Sequence, residues 1–186
     1  MSHLAIYEDG NPSRAIWQGS DYKSIAEKLN AAGVRFEQWT ASAELPADAD
    51  DQTVMAAYSN DIERLKRENG YQTVDILRVL PDHPKRVELR QKFLSEHTHV
   101  EDEVRFFVEG AGMFYLHIDG RVYKVLCERG DLIGVPDRVP HWFDCSALPY
   151  VTAIRFFTNA DGWVAEYTGN KIADAFPKFE KTAAAA

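Results

Sequence analysis

The pattern of apolar and polar positions divides the chain into two stretches with different periods. In the first, apolar residues recur at helical spacing. Tyr22, Ile25, Ala26 and Leu29 share one face of a helix that Ser20 can cap and Gly33 can stop. Val54, Tyr58, Ile62 and Leu65 form a stripe along a second helix running from near Asp51 to Asn69. Glu63 and Arg67 make an i,i+4 charge pair on it, and Gly70 ends it. A third helix is expected over Lys85–Leu94. Two β-rich pieces, Val34–Trp39 and Val74–Leu80, lie between the helices, the second stopped by Pro81 and Pro84.

After Glu96 the period shortens. Runs rich in Val, Ile, Phe and Tyr are separated by Gly, Pro and Asp, and they predict strands at Val104–Glu109, Met113–Ile118, Arg121–Cys127, Leu132–Val135 and Tyr150–Phe157. Asp119-Gly120 separates two of them, a strong hairpin signal because both central positions of a type I′ turn need positive φ. Short strands at this spacing point to a sandwich or barrel rather than alternating βαβ units. The expected architecture is mainly β, with a helical N-terminal part (about 1–95) packed against a β-barrel core (about 96–168). Residues 1–182 are read as one domain, and the Ala183–Ala186 tail as frayed.

Composition narrows the function classes. The 186 residues are 45% hydrophobic and 27% charged, values of an ordinary globular chain. Lys and Arg number 21 against 29 Asp and Glu, a net charge of −8, which argues against nucleic acid and against an anionic membrane surface. The longest strictly apolar run, Val54–Tyr58, is far short of the ~20 residues a membrane span needs. The start reaches Glu8 and Asp9 after four apolar residues, so no signal peptide is expected. Cys127 and Cys145 form no CxxC pair and have no basic neighbour in sequence, so both are read as inert thiols. These features together predict a cytoplasmic protein.

Chemistry concentrates in His97-Thr98-His99-Val100-Glu101-Asp102-Glu103. On extended backbone His97 and His99 point the same way, and so do Glu101, Glu103 and Arg105. Two imidazoles and a carboxylate on one face suit a first-row divalent metal. Parity alone leaves Glu101 and Glu103 as equal candidates for that carboxylate. His3, His83 and His117 are read as solvated or structural histidines.

The layout HxHxxxExxxxxxG from His97 to Gly110, followed by GxxxxxPxxxxH from Gly130 to His141, resembles the two motifs of the cupin superfamily. Arg138 stands where that pattern has Gly, and Cys145 where it often has Asn. More specific strings resemble the bacterial acireductone dioxygenases. They are Lys92-Phe93-Leu94, Glu96-His97-Thr98-His99, Glu103 to Gly112, Val135-Pro136 and Pro140-His141-Trp142-Phe143-Asp144, with Gly33-Val34-Arg35-Phe36-Glu37 and Gly162-Trp163 outside the motifs.

That resemblance implies a cupin-type jelly-roll barrel with metal ligands His97, His99, Glu103 and His141, thereby choosing Glu103 over Glu101. It implies one Fe(II) or Ni(II) per chain, with Mn or Co as substitutes; the N/O donor set fits these ions, whose occupancy the Irving–Williams order ties to supply. The implied substrates are O2 and the acireductone 1,2-dihydroxy-3-keto-5-methylthiopentene of methionine salvage. The iron form would give 2-keto-4-methylthiobutyrate and formate, and the nickel form methylthiopropionate, formate and CO. Arg105 is expected to stabilise the bound enediolate, against the bland alternative of an ion pair with Glu101 or Asp102. Phe93, Phe143 and Trp163 match aromatic positions that line the substrate pocket. A monomer is expected. The competing readings are a differently reacting cupin and a metal-binding cupin without catalysis; a DNA-binding regulator lacks a basic helix.

Overall fold

The computed structural model describes residues 1–41, 43–46, 49–159 and 164–180. Its elements run β1 (His3–Glu8), β2 (Ala15–Gly19), α1 (Tyr22–Ala31), β3 (Arg35–Gln38), α2 (Asp51–Ala57), α3 (Ser59–Asn69), β4 (Thr73–Val79) and α4 (Arg86–Leu94). They continue with β5 (His97–Thr98), β6 (Glu103–Ile118), β7 (Arg121–Glu128), β8 (Asp131–Val135), β9 (His141–Asp144), β10 (Val151–Phe157), β11 (Glu166–Tyr167) and α5 (Ile172–Ala175). The fold is mainly β, as the strand spacing predicts.

One strand organises the rest. The C-terminal half of β6 pairs with β7 and β9, and β7 extends that sheet through β1 to β2. Its N-terminal half pairs with β8 and β10, which carry β3 and β4 at the outer edges. The changeover falls at Gly110, whose φ is +70°, and a Cβ there would strike the Tyr150 carbonyl. Only glycine fits such a bend. The two runs predicted as separate strands, Val104–Glu109 and Met113–Ile118, are therefore one bent strand.

Alternation along β6 sorts its side chains between two cores. Val104, Phe106 and Val108 pack outward against Val54, Tyr58, Ile62 and Leu65 of the helical layer. Phe107 and Phe114 face the barrel interior with Leu4, Val125, Ile133 and Phe143. Each of these fully buried side chains contributes about 1.5–3 kcal/mol relative to exposure. Glu103 and Arg105 share the parity of Phe107, so the same alternation turns them inward.

Several expectations need correction. The N-terminal part holds two strands that were not expected, β1 and β2, which join the β7 edge; β3 and β4, within the expected β-rich pieces, flank β8 and β10. Leu4-Ala5-Ile6 is a buried apolar run, and a short run of that kind does not distinguish strand from helix by period. Asp21, not Ser20, caps α1, its carboxylate accepting from the Ser24 amide at 2.9 Å. The helix expected from Asp51 to Asn69 breaks at Tyr58, where ψ is +17° and φ is −111°, so one stripe is shared by two helices. The Asp119-Gly120 turn has φ of 50° and 71°, as a type I′ turn requires. Trp163 and the Ala183–Ala186 tail lie outside the described residues.

Candidate metal centre

Short ladders bring the chemistry together. In β5 and β9, His97 and His141 are register partners, and β5 also pairs Tyr167 of β11 with His97. His99 follows β5, and Glu103 opens β6 opposite Val135. The donor atoms of His97, His99, Glu103 and His141 all lie within 4.8 Å of one another, and all four residues are buried. His99 Nε2 and His141 Nε2 approach the same carboxylate oxygen, Glu103 Oε2, at 3.0 and 3.2 Å.

Each imidazole is fixed from behind by a backbone carbonyl. His97 Nδ1 donates to the Ser95 carbonyl at 2.7 Å, His99 Nδ1 to that of Val164 at 3.1 Å, and His141 Nδ1 to that of Val139 at 2.7 Å. A carbonyl only accepts, so Nδ1 carries the proton and a neutral ring turns its Nε2 lone pair toward the centre. Burial and the neighbouring His141 push the His97 pKa down to about 4, which keeps that ring neutral. Burial alone would raise the Glu103 pKa. The Arg105 guanidinium, with His141 and His99 alongside, outweighs it and holds the carboxyl well below the usual range. Three lone pairs and a carboxylate facing one another in the interior repel unless a cation sits between them. The donor set therefore fits a divalent metal, and its lack of thiolate argues against a structural zinc site.

Arg105 pairs with Glu103. Its Nη2 lies 2.6 Å from Glu103 Oε1, and its guanidinium carbon stands 4.5, 5.2 and 5.8 Å from the ring centres of Phe143, Phe114 and Phe93. Glu101 turns elsewhere and accepts from the Thr158 hydroxyl at 2.7 Å. Parity makes it a candidate, but the turn between β5 and β6 ends the alternation on which parity depends.

A cavity of about 250 Å³ opens onto His97, His99, Glu103 and Arg105. Leu77, Leu89 and Phe93 form an apolar wall, Lys92 adds positive charge, and Arg155 lines the cavity while paired with Asp75 at 2.7 and 2.6 Å. Phe143 is buried beneath Arg105 and is not among the lining residues, so it supports the guanidinium. A larger hollow of about 460 Å³ beside Trp17 and Tyr123 shares no lining residue with this one. The sequence reading missed Leu77, Leu89, Lys92 and Arg155. Arg155 carried a usable signal as the only charge in the apolar run of β10, and it lies in register opposite Arg105.

Other residues behave as expected of them. Cys127 and Cys145 are buried and unpaired, and burial pushes both thiols up, Cys145 to about 11. Arg138 adopts φ of +58°, which is why the cupin pattern has Gly there, and its amide donates to the His99 carbonyl at 2.7 Å.

Comparison with known proteins agrees with this geometry. Residues 3–165 match the model of the ARD/ARD' family. Acireductone dioxygenase of Parvibaculum lavamentivorans is 55% identical over 180 residues, covering 97% of this chain and 98% of the relative. That of Yersinia pseudotuberculosis is 51% identical over 178 residues, covering 96% and 99%. The solved acireductone dioxygenase from Bacillus anthracis with cadmium ion in its active center superposes with a TM-score of 0.79 at 32% identity, covering 90% of this chain and 98% of that one. The chain belongs to the ARD/ARD' family.

Proposed function

We propose that this chain is a metal-dependent acireductone dioxygenase that cleaves 1,2-dihydroxy-3-keto-5-methylthiopentene with O2 in methionine salvage. The observation that carries the reading is the buried cluster of three Nδ1-anchored imidazoles and one carboxylate, of which His97, His99 and Glu103 line a cavity together with Arg105. The family membership and the names of its relatives support the same activity.

In this reading His97, His99, Glu103 and His141 hold one Fe(II) or Ni(II), with Mn or Co as substitutes. When bound, the metal supplies positions for the two enediolate oxygens and the Lewis acidity that keeps them ionised. The protein supplies the rest. Arg105 places a fixed positive charge beside the anionic substrate, and the Phe143 and Phe114 rings hold that charge in place. Leu77, Leu89 and Phe93 take the apolar methylthio end, whose sulfur suits an aromatic edge. The family resemblance implies a substrate contact for Trp163 as well. Lys92 at the cavity draws an anion into a protein of net charge −8. One chain carries all four donors, so a monomer suffices to complete the site, and the two free buried thiols support a cytoplasmic location.

The test is turnover of the acireductone by protein stripped of metal and reloaded with iron or nickel, followed by O2 uptake and product analysis. Iron-loaded protein should give the ketoacid and formate, and nickel-loaded protein methylthiopropionate, formate and CO. Metal bound in full with no O2 consumption would hand the site to a non-catalytic cupin.

A further inference from the structure

Glu96 stands next to the first ligand yet faces away from the centre. Its carboxylate is buried, an expensive placement for a charge, and both oxygens are engaged. Oε1 accepts from His117 Nδ1 at 2.7 Å, and Oε2 from the Thr168 hydroxyl at 2.5 Å; the Glu96 carbonyl also accepts the Thr168 amide at 3.2 Å. His117 Nε2 lies 3.4 Å from Asp9 Oδ2 at the outer end.

Those partners lead back to the ligands by short routes. The His117 amide donates to the Pro140 carbonyl at 2.8 Å, and Leu116 beside it is the register partner of His141. Thr168 ends a segment in which Tyr167 pairs with His97 and Val164 accepts from His99. His97 itself relies on the Ser95 carbonyl, two residues back, for its ring orientation. Strand β5 is two residues long, too short to set its own position. We infer that Glu96 is a positioning residue for the metal centre: with His117 and Thr168 it clamps the backbone that carries His97, His99 and His141. This rests on the reading of those histidines as ligands.

The experiment measures Co(II) affinity by chelator competition and the visible absorption of the Co(II) form, alongside the melting temperature of the metal-free protein. Glu96→Ala should bind Co(II) at least ~10-fold more weakly and shift its absorption bands, at a temperature where far-ultraviolet dichroism shows the chain folded. Glu96→Gln, which can still serve His117 or Thr168, should recover part of the affinity. Wild-type affinity and spectrum in Glu96→Ala, with only a lowered melting temperature, would overturn the inference. If Glu96→Ala does not fold, Thr168→Val and His117→Gln each remove one arm; a several-fold loss of affinity in both supports the clamp, and wild-type affinity in both overturns it. His97→Ala is the control. If it loses Co(II) while Glu96→Ala keeps it, the clamp alone fails; if it keeps Co(II) at wild-type affinity, the ligand reading fails first.

Discussion

His97 and His141 lie opposite one another in the β5–β9 ladder, with ring centroids 4.7 Å apart. This pairing joins the two sequence motifs. Main-chain register, rather than side-chain contact alone, sets the separation of the first and last donors, so the centre is assembled as the sheet forms. The cost of gathering buried lone pairs is borne by the fold and offset when a cation binds.

The ligand set predicts a sharp division among neighbouring residues. His97→Ala, His99→Ala, His141→Ala and Glu103→Ala should each lose most of the bound metal on elemental analysis of purified protein. Glu101→Ala should keep it, losing about 1 kcal/mol of stability with the Thr158 hydrogen bonds. An empty site in Glu101→Ala beside a full one in Glu103→Ala would reverse the carboxylate assignment.

The ligand-bearing residues were legible because the histidines and carboxylates fall at fixed spacings in motifs that resemble a known family. Parity alone could not choose between Glu101 and Glu103, since the turn between β5 and β6 cannot be read from alternation. The strands after Glu96 were legible from their turn residues, yet β1 was not, because a buried run such as Leu4-Ala5-Ile6 has no polar face to set its period. Gly110 marks the break between two predicted runs, but that the chain passes through it as one bent strand was not legible, because β6 is buried on both faces. The walls Leu77 and Leu89 come from elements far from the motifs, and only tertiary packing brings them to the site.

Asp131 gives a prediction in pH. Its carboxyl is buried, and burial raises its pKa above the ordinary 3.8, against the opposing hydrogen bonds of the Ser2 hydroxyl and the Glu128 amide. The native state therefore holds this proton more tightly than the unfolded chain. The wild type gains stability as pH falls through that window, and above it carries the full penalty of a buried ionised group. Asp131→Asn removes the charge and keeps an acceptor for both donors. In the metal-free protein its melting temperature should exceed the wild type's at pH 7, and the advantage should shrink as pH falls into the carboxylate range. An advantage independent of pH would show that burial of the charge is not the cause.

Arg138 holds a left-handed conformation at which a non-glycine residue costs about 1–2 kcal/mol. Among the described residues its exposed side chain makes only a 3.7 Å contact with Asp137, worth little. Arg138→Gly should therefore raise the melting temperature by about 1–4 °C, part of the gain being lost to the freer unfolded chain. Calorimetry of the two proteins decides this. A lower melting temperature would mean that the Arg138 side chain contributes more than its contacts indicate.

Arg105 should separate charge stabilisation from metal binding. Its guanidinium pairs with Glu103 and is enclosed by Phe143, Phe114 and Phe93, so Arg105→Ala leaves a buried carboxylate without its counter-charge. Breaking a buried pair in this way costs about 3–5 kcal/mol of stability in the metal-free protein. Bound metal compensates, because a divalent cation on Glu103 replaces the missing charge, so the melting temperature should recover more on metal loading than the wild type's does. Turnover per bound metal should still fall by roughly 10²–10³, the usual effect of losing a charged donor aimed at a reacting anion. Arg105→Lys should recover only part of the rate, since a point ammonium cannot reproduce the planar fork that fits between the rings. The decisive measurement is turnover normalised to metal content. Wild-type turnover per metal in Arg105→Ala, with only the stability changed, would confine Arg105 to supporting Glu103 and remove it from contact with substrate.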